Sequence, residues 1–457
     1  MLKEISPARF TLRKEYFGGL VHDVSTTKYE LLQPEEYDFL SHLTAAENVV
    51  FQQVVEKNPH LKERVERFKN IGFIDVDDSG LLFVNVRLIP PPSLLPEKSL
   101  VAPLRVYDTY TQQCNLRCSH CYFSSSPLIN EKRRTLEQTA EIMRKFYEAG
   151  TMEWRFTGGE PTIHHDVFDA ITIVKGFGMN VSLNTNGWWS DKIAQKVLSA
   201  GLSEIVISLE GRQEVNDERR RKGAYINIIE TFDRIAAHNI SSPHKKISTV
   251  INVAVGRDNI SDVDFLIRLA AQYGYNINFI PLKPSGRAKN HLQSSLLSTH
   301  EFMQFSRTVQ KLREDPQIID AGIHIGHKYK DLFCPDYKDQ SDKPFPFNYS
   351  ECGALTTAIS MLPDGRVFAC SFVLDLDPHG EFIGPNMISS SVEDAWFHPN
   401  IEKFRKAEKT GCIDCTYYMR QCRGVCKATV LGYGGEIKDG KLIGKDPYCY
   451  AHLLSKE

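Results

Sequence analysis

The sequence predicts an α/β protein: a parallel sheet wrapped by helices, with a small strand-and-helix module before it and a cysteine-rich tail after it. Three observations carry this expectation. Strand and helix signals alternate from Leu104 to about Leu282, which implies parallel strands joined by helical crossovers and a site at their carboxyl ends. Residues 1 to about 90 read as three short strands followed by three helices. Eight of the eleven cysteines lie after residue 330, and 457 residues leave room for two to four folding units.

In the first module, extended runs are expected at Arg9–Lys14, Gly18–Asp23 and Lys28–Leu32, with Phe17-Gly18-Gly19 as a turn signal. Helical patterns follow at Pro34–Leu43, Ala45–Lys57 and Leu61–Asn70, the last with Leu61, Val65 and Phe68 at helical spacing. The Ile89-Pro-Pro-Pro-Ser run reads as a stiff linker. Three strands and three helices of this size suggest a winged-helix-like unit. DNA binding is disfavoured, because acidic residues outnumber basic ones here and a DNA reader carries a basic face.

The alternating stretch begins with a strand at Leu104–Tyr110. Thr135-Leu-Glu-Gln138 is a capping box opening a helix that Gly150 ends. Strands are expected at Glu153–Thr157, Asn180–Asn184, Glu204–Leu209, Ile247–Val255 and Ile277–Leu282. The intervening helices include Val167–Lys175, Lys192–Ala200, Ile226–Ala237 and Val263–Tyr273. The expected boundaries are 1–90, 100–325 and 330–457.

Hydrophobic residues make up 42% and charged residues 25%, with a net charge of −2. That composition belongs to a soluble globular protein and implies no pull toward nucleic acid or an anionic membrane. No apolar run approaches a membrane span, and the first residues lack the apolar core of a signal peptide. A cytoplasmic location is expected. In that reducing compartment clustered cysteines serve as metal ligands rather than disulfides.

The chemistry starts at Cys114-Asn-Leu-Arg-Cys118-Ser-His-Cys121. This Cys-x3-Cys-x2-Cys spacing points three thiolates at one centre, and thiolates are the usual holders of iron–sulfur cubes. Three ligands leave one iron open, and an open metal position is where substrate or cofactor binds. The alternatives are a zinc site short of its fourth ligand, or three core cysteines. Gly158-Gly159-Glu160-Pro161 follows the second strand, where glycines permit close backbone approach and a carboxylate accepts from an ammonium. The alternative there is a simple turn.

The cysteine motif, with His120 as the aromatic residue before the third cysteine, resembles the radical S-adenosylmethionine (SAM) family. The resemblance covers essentially the whole alternating stretch and implies a partial (β/α)6 barrel. It implies a 4Fe–4S cluster at Cys114, Cys118 and Cys121, with SAM chelating the open iron through its amino and carboxylate groups. An electron from the cluster then releases a 5′-deoxyadenosyl radical that abstracts hydrogen. Gly158, Gly159, Glu160 and Pro161 match the family's motif for the SAM amino group. Ser208, in Ser208-Leu-Glu210-Gly211, resembles the ribose-contacting segment, although Asp is commoner where Glu210 stands. Arg220 resembles an arginine that reaches the SAM carboxylate; a solvated helix start is the alternative, and family members often carry His where Asn216 is.

The tail resembles the SPASM extension of that family, which carries two auxiliary 4Fe–4S clusters. Carried over, Cys352, Cys370 and Cys426 hold the first, with Cys334 as fourth ligand, and Cys412, Cys415, Cys422 and Cys449 hold the second. The gap between Cys415 and Cys422 is one residue longer than usual. Two zinc sites on the same thiolates are the alternative.

The run from Leu12 to Leu40 resembles the peptide-recognition element of ribosomal-peptide maturation systems, where a leader peptide adds a strand against the third strand and third helix. Together these resemblances imply an enzyme that modifies a ribosomally made precursor peptide. Its product would be a thioether, a carbon–carbon bond or an ether cross-link, and a flavodoxin or ferredoxin would supply electrons. Peptide epimerisation and maturation of a folded enzyme, as in sulfatase-maturing relatives, are the alternatives within the class. Outside it stands a zinc-stabilised winged-helix regulator. No catalytic acid, base or hydrogen donor is assigned. His164 and His165 read as capping or surface residues, and Trp188 and Trp189 as channel wall or rim packing.

Overall fold

The structure is a computed structural model that describes residues 8–45, 50–78, 80, 82–84, 86–93, 95–97, 99–291, 294–327, 353–418, 422 and 424–454. Cys334 and Cys352 lie outside the described residues.

The chain opens with β1 (Phe10–Glu15), β2 (Gly18–Asp23) and β3 (Lys28–Leu32), then α1 (Pro34–Ala45), α2 (Phe51–Lys57) and α3 (Lys62–Asn70). Two glycines make the first hairpin fit. A Cβ on Gly18, whose φ is +132°, would stand 2.2 Å from the Leu32 carbonyl oxygen, and one on Gly19 would stand 2.3 Å from the Tyr37 ring. A hairpin of β4 (Ile74–Val76) and β5 (Leu82–Val84) follows, then β6 (Val86–Leu88). β6 joins the first sheet parallel to β1, giving the order β3-β2-β1-β6. The sequence pattern missed these three strands because each is only three residues long, too short for a period to register.

One face of this sheet buries Phe10, Leu12, Val21 and Leu32 against Tyr37, Leu40, Val65 and Phe68. The other face meets the body of the protein. Leu20 packs with Leu100, Leu104 and Met152. Arg13 is buried beside Glu15 and donates to the carbonyls of Gly150 and Ala102 at 2.9 and 3.1 Å. Tyr29 donates to Glu153, which also pairs with Arg105.

That body is a ten-stranded sheet. It is built from β7 (Arg105–Thr111), α4 (Leu136–Glu148), β8 (Glu153–Gly158), α5 (Val167–Gly176), β9 (Asn180–Thr185), α6 (Asp191–Ser199) and β10 (Glu204–Ser208). Then come α7 (Gln213–Arg219), α8 (Ala224–Ser241), β11 (Ser248–Val255), α9 (Val263–Tyr273), β12 (Asn276–Pro281), α10 (Thr299–Arg313), α11 (Pro316–Asp320) and β13 (Ile325–His327). The six strands β7 to β12 run parallel in sequence order, each within a residue or two of its expected bounds. The Thr135–Gln138 capping box forms at the start of α4.

The tail extends this sheet. β14 (Ala358–Met361) pairs parallel with β7, and β15 (Arg366–Phe368) and β16 (Ile383–Asn386) continue it antiparallel. Alternation along the barrel strands divides two environments. Val106, Phe156, Leu183, Ile207, Val253 and Phe279 join the core under the helices. The opposite set is polar: Thr109, Thr157, Asn184, Ser208, Asn252 and Asn278. Among the described residues, no helix is long and apolar enough to cross a membrane.

Candidate active site

The cysteine loop leaves the carboxyl end of β7, where Cys114 is buried and Cys118 and Cys121 are half-buried. The glycine turn after β8 lies directly against the strand that feeds it. Gly159 N donates to Thr111 O at 2.7 Å and Glu160 N to Gln113 O at 2.9 Å. A Cβ on Gly158 would stand 2.2 Å from Thr111 O, and one on Gly159 would stand 2.0 Å from Gln113 O. The two glycines therefore let one backbone lie on the other.

Glu160 is fully buried, and donors from its own protein surround its carboxylate. Thr162 Oγ1 donates at 2.6 Å, Thr185 Oγ1 reaches both oxygens at 3.0 Å, and Asn186 N donates at 2.7 Å. These contacts tie β8 to the end of β9. Pro161 begins the short turn that brings Thr162 back to it. Asn186 continues the chain of contacts, donating to Asn115 Oδ1 at 2.7 Å and to Cys114 Sγ at 3.7 Å.

A second hub sits beyond β10. Glu210 is buried and takes His120 Nε2 at 3.2 Å, Arg219 Nη1 at 3.5 Å, Ala254 N at 2.9 Å and Arg220. Burial opposes its charge, but His120 and the two arginines win and hold the carboxyl far below the usual range. Arg220 thus stands close to Cys118 and Cys114 of the cysteine loop. Its Nε, like His120 Nδ1, is buried without a hydrogen-bond partner among the described residues. An unpaired buried donor costs roughly 1–3 kcal/mol, which a ligand at this spot would recover. Ser208 is half-buried at the end of β10, in register with Asn252. Thr109 Oγ1, Asn184 Oδ1 and Asn252 Oδ1, on the same inner face, are also buried without hydrogen-bond partners among the described residues.

Sequence reading missed Arg287, which follows β12. Its backbone N donates to Cys121 O at 2.9 Å, Nε to Cys118 O at 2.7 Å and Nη2 to Ser125 O at 2.8 Å. A Cβ on Gly286 would stand 2.3 Å from Cys121 O, so glycine is required for this approach. A Gly-Arg pair at the end of the sixth strand was the available signal.

Burial pushes the Cys114 thiol up to about 12, with Glu160 reinforcing it. Burial also raises Cys118, against the pull of Arg220. Such thiols ionise readily only onto a metal. A tetrahedral zinc draws thiolate sulfurs to within about 3.8 Å of one another, given Zn–S bonds near 2.3 Å. Among the described residues the three cysteines do not gather within 4.8 Å. The orphaned Arg220 and His120 donors beside these cysteines fit a polar ligand bound next to a metal centre.

His164, His165 and Asp166 do converge that closely. Asp166 accepts from Tyr110 at 2.6 Å and binds His164, while the His165 side chain is 84% exposed. Trp189 is buried and donates to Thr185 Oγ1 at 3.0 Å, which makes it rim packing. Trp188 is half-buried under Arg221.

In the tail, Cys370, Cys412, Cys415, Cys422, Cys426 and Cys449 form no disulfide among the described residues. Gly424 N donates to Cys422 Sγ at 3.3 Å, and a Cβ on Gly424 would stand 3.2 Å from Cys412 Sγ, so these two sulfurs flank one glycine. Lys283 Nζ donates to Cys426 Sγ at 3.4 Å. Sulfurs that attract N–H donors and a cation fit thiolate ligands of a metal centre.

Comparison with known proteins agrees with this geometry. Residues 109–270 match the radical SAM superfamily. The chain is similar to the mycofactocin maturase MftC of Mycolicibacterium smegmatis, 27% identical over 80% of this chain and 89% of that one. It is also similar to the PqqA peptide cyclase of Gluconobacter oxydans, 25% identical over 78% and 90%. The fold is that of Streptococcus suis SuiB bound to its precursor peptide SuiA, with a TM-score of 0.66 at 15% identity, covering 93% of this chain and 95% of that one. With the three-cysteine loop, the glycine turn and six parallel barrel strands in one place, residues 109–270 of this chain are a radical SAM domain.

Proposed function

We propose that this chain is a radical SAM enzyme that modifies a ribosomally made precursor peptide, joining side chains through a thioether, a carbon–carbon bond or an ether. Cys114, Cys118 and Cys121 hold a 4Fe–4S cluster with SAM at its open iron. When bound, this pair supplies the radical that takes hydrogen from the peptide. Arg220 presents a donor to the SAM carboxylate. Gly158, Gly159, Glu160 and Pro161 shape the wall for its amino group, and Ser208 lies on the ribose side. Glu160 acts there by pinning Thr185 and Asn186 rather than as an open acceptor. In the tail, Cys352, Cys370, Cys426 and Cys334 hold one auxiliary 4Fe–4S cluster, and Cys412, Cys415, Cys422 and Cys449 hold another.

Residues 1–90 form a winged-helix-like leader-binding unit, 100–325 the barrel and 330–457 the auxiliary-cluster unit. Among the described residues β3 has β2 as its only strand neighbour, so an extended leader can pair with its outer edge. α3 borders that edge, where Arg64 Nη2 donates to Leu31 O at 3.1 Å and Arg67 pairs with Glu30. A flavodoxin or ferredoxin supplies electrons, and the enzyme works in the cytoplasm.

One observation carries the reading: a three-cysteine radical site and a small sheet with an open edge stand in one chain. The test is anaerobic co-expression with any short reading frame encoded beside the gene, followed by high-resolution mass spectrometry. Loss of two hydrogens, located by fragmentation, is expected. SAM cleavage with an unaltered peptide, in mass and in deuterium uptake alike, would sink the peptide assignment.

A further inference from the structure

The segment after β12 touches both cysteine sites. Arg287 holds the loop of Cys118 and Cys121, and Lys283 reaches the other way, into the tail. Lys283 is 9% exposed, and its ammonium has two neighbours of note. Nζ donates to Cys426 Sγ at 3.4 Å and stands 4.1 Å above the centre of the Phe372 ring. The stem is fixed on both sides: Tyr448 donates to Leu282 O at 2.6 Å and Ser285 Oγ to Phe372 O at 3.0 Å. Phe372 in turn packs on Tyr122, the residue after Cys121, with ring centres 4.6 Å apart.

A buried ammonium needs a compensating negative partner. A neutral thiol is a weak acceptor, whereas a thiolate answers both the charge and the N–H. Hydrogen bonds to cluster sulfurs and nearby charge are what set an iron–sulfur potential. A fixed cation at a ligand sulfur favours the reduced, more negative state.

We propose that Lys283, a residue of the barrel, raises the reduction potential of the auxiliary cluster ligated through Cys426. This rests on the ligation proposed for the tail. It assigns Lys283 a positioning and tuning role, with no contact to substrate required.

The test uses the full chain carrying Cys114→Ala, Cys118→Ala and Cys121→Ala, so that only tail clusters give signal. After anaerobic reconstitution, a redox titration is followed by electron paramagnetic resonance. Lys283→Met should lower one midpoint and leave the other in place. At the parent midpoint the reduced-to-oxidised ratio should fall about tenfold, which is about 59 mV for a one-electron couple. Lys283→Arg should hold the parent value. Lys283→Gln keeps a donor without the charge and should shift in the same direction as Met, which decides the matter if the Met variant loses iron. Unmoved midpoints in both neutral variants, or an equal shift in the Arg variant, would overturn the tuning role. A parent chain whose tail binds no reducible cluster would overturn the ligation itself, a separate and visible failure.

Discussion

Arg287 shows how much one side chain organises at this site. Its side chain and backbone satisfy carbonyls at Cys118, Cys121 and Ser125, three points on a loop with no regular structure. Arg287→Met keeps the stem but removes two of those donors. Each carbonyl left unpaired costs roughly 1–3 kcal/mol. The variant should fold and retain tail iron but lose iron from the three-cysteine loop, read as iron per chain after reconstitution. Full loading would mean the loop holds its shape alone. His22 offers a pH-dependent counterpart. It is buried under the barrel, with Asn180 Nδ2 3.2 Å from its Nε2, and burial depresses its imidazole from 6.5 to about 4. The unfolded chain therefore takes up a proton that the folded one refuses. Its contribution is complete above pH 6.5 and is lost as pH falls toward 4, by about 1.4 kcal/mol per pH unit. Between pH 7 and pH 5 the parent should lose about 2 kcal/mol more unfolding free energy than His22→Gln. Parallel denaturation curves across that range would contradict this.

At the scale of elements, the glycine turn and the cysteine loop behave as one unit, because Gly158 and Gly159 lie against the carbonyls of Thr111 and Gln113. Gly159→Ala brings a methyl within 2.0 Å of a backbone oxygen that has no room to yield. Overpacking of this kind costs roughly 1–3 kcal/mol and moves backbone. The expected result is a displaced cysteine loop, with SAM affinity reduced at least tenfold by equilibrium dialysis while the clusters proposed for the tail remain. Unchanged affinity would show that the turn tolerates the methyl. Cysteine spacing, glycine turns and the 2.0 and 3.6 periods are local, and the six barrel strands follow from them within a residue or two, while α8 runs four residues past its expected end, to Ser241. Arg287 and Lys283 reach partners more than 100 residues away and the Glu210 hub works through buried pairing; a short window shows a Gly-Arg pair or the Glu210 segment, but not what these residues hold. The brief strands β4, β5 and β6 escaped for the opposite reason: three residues carry too little pattern. Glu160 was recognised, but its engagement by Thr162, Thr185 and Asn186 depends on strands meeting, which only the fold reveals.

On the scale of the whole molecule, the small sheet sits at the amino ends of the barrel strands, while the cysteine loop and Glu210 lie at their carboxyl ends. β1 and β2 touch Gly150, Ala102 and Asn180, and β3 touches Glu153, the first residue of β8. A leader held on β3 therefore binds a barrel length away from the chemistry, and the peptide has to run along the outside to reach the mouth. That separation divides the work between affinity and reaction. Removing residues 1–90 is a poor test, because it would bare Leu100, Leu104 and Met152 and strand the buried partners of Arg13. Shortening the peptide leaves the enzyme intact. A core peptide without its leader should lose at least tenfold in kcat/KM, about 1.4 kcal/mol, with the loss carried by KM and kcat held within about twofold. A fall confined to kcat would mean the leader acts on the barrel itself, through Tyr29 and Glu153, rather than by tethering. Equal kcat/KM for the two peptides would remove the leader from recognition, and the β3 edge would need another occupant.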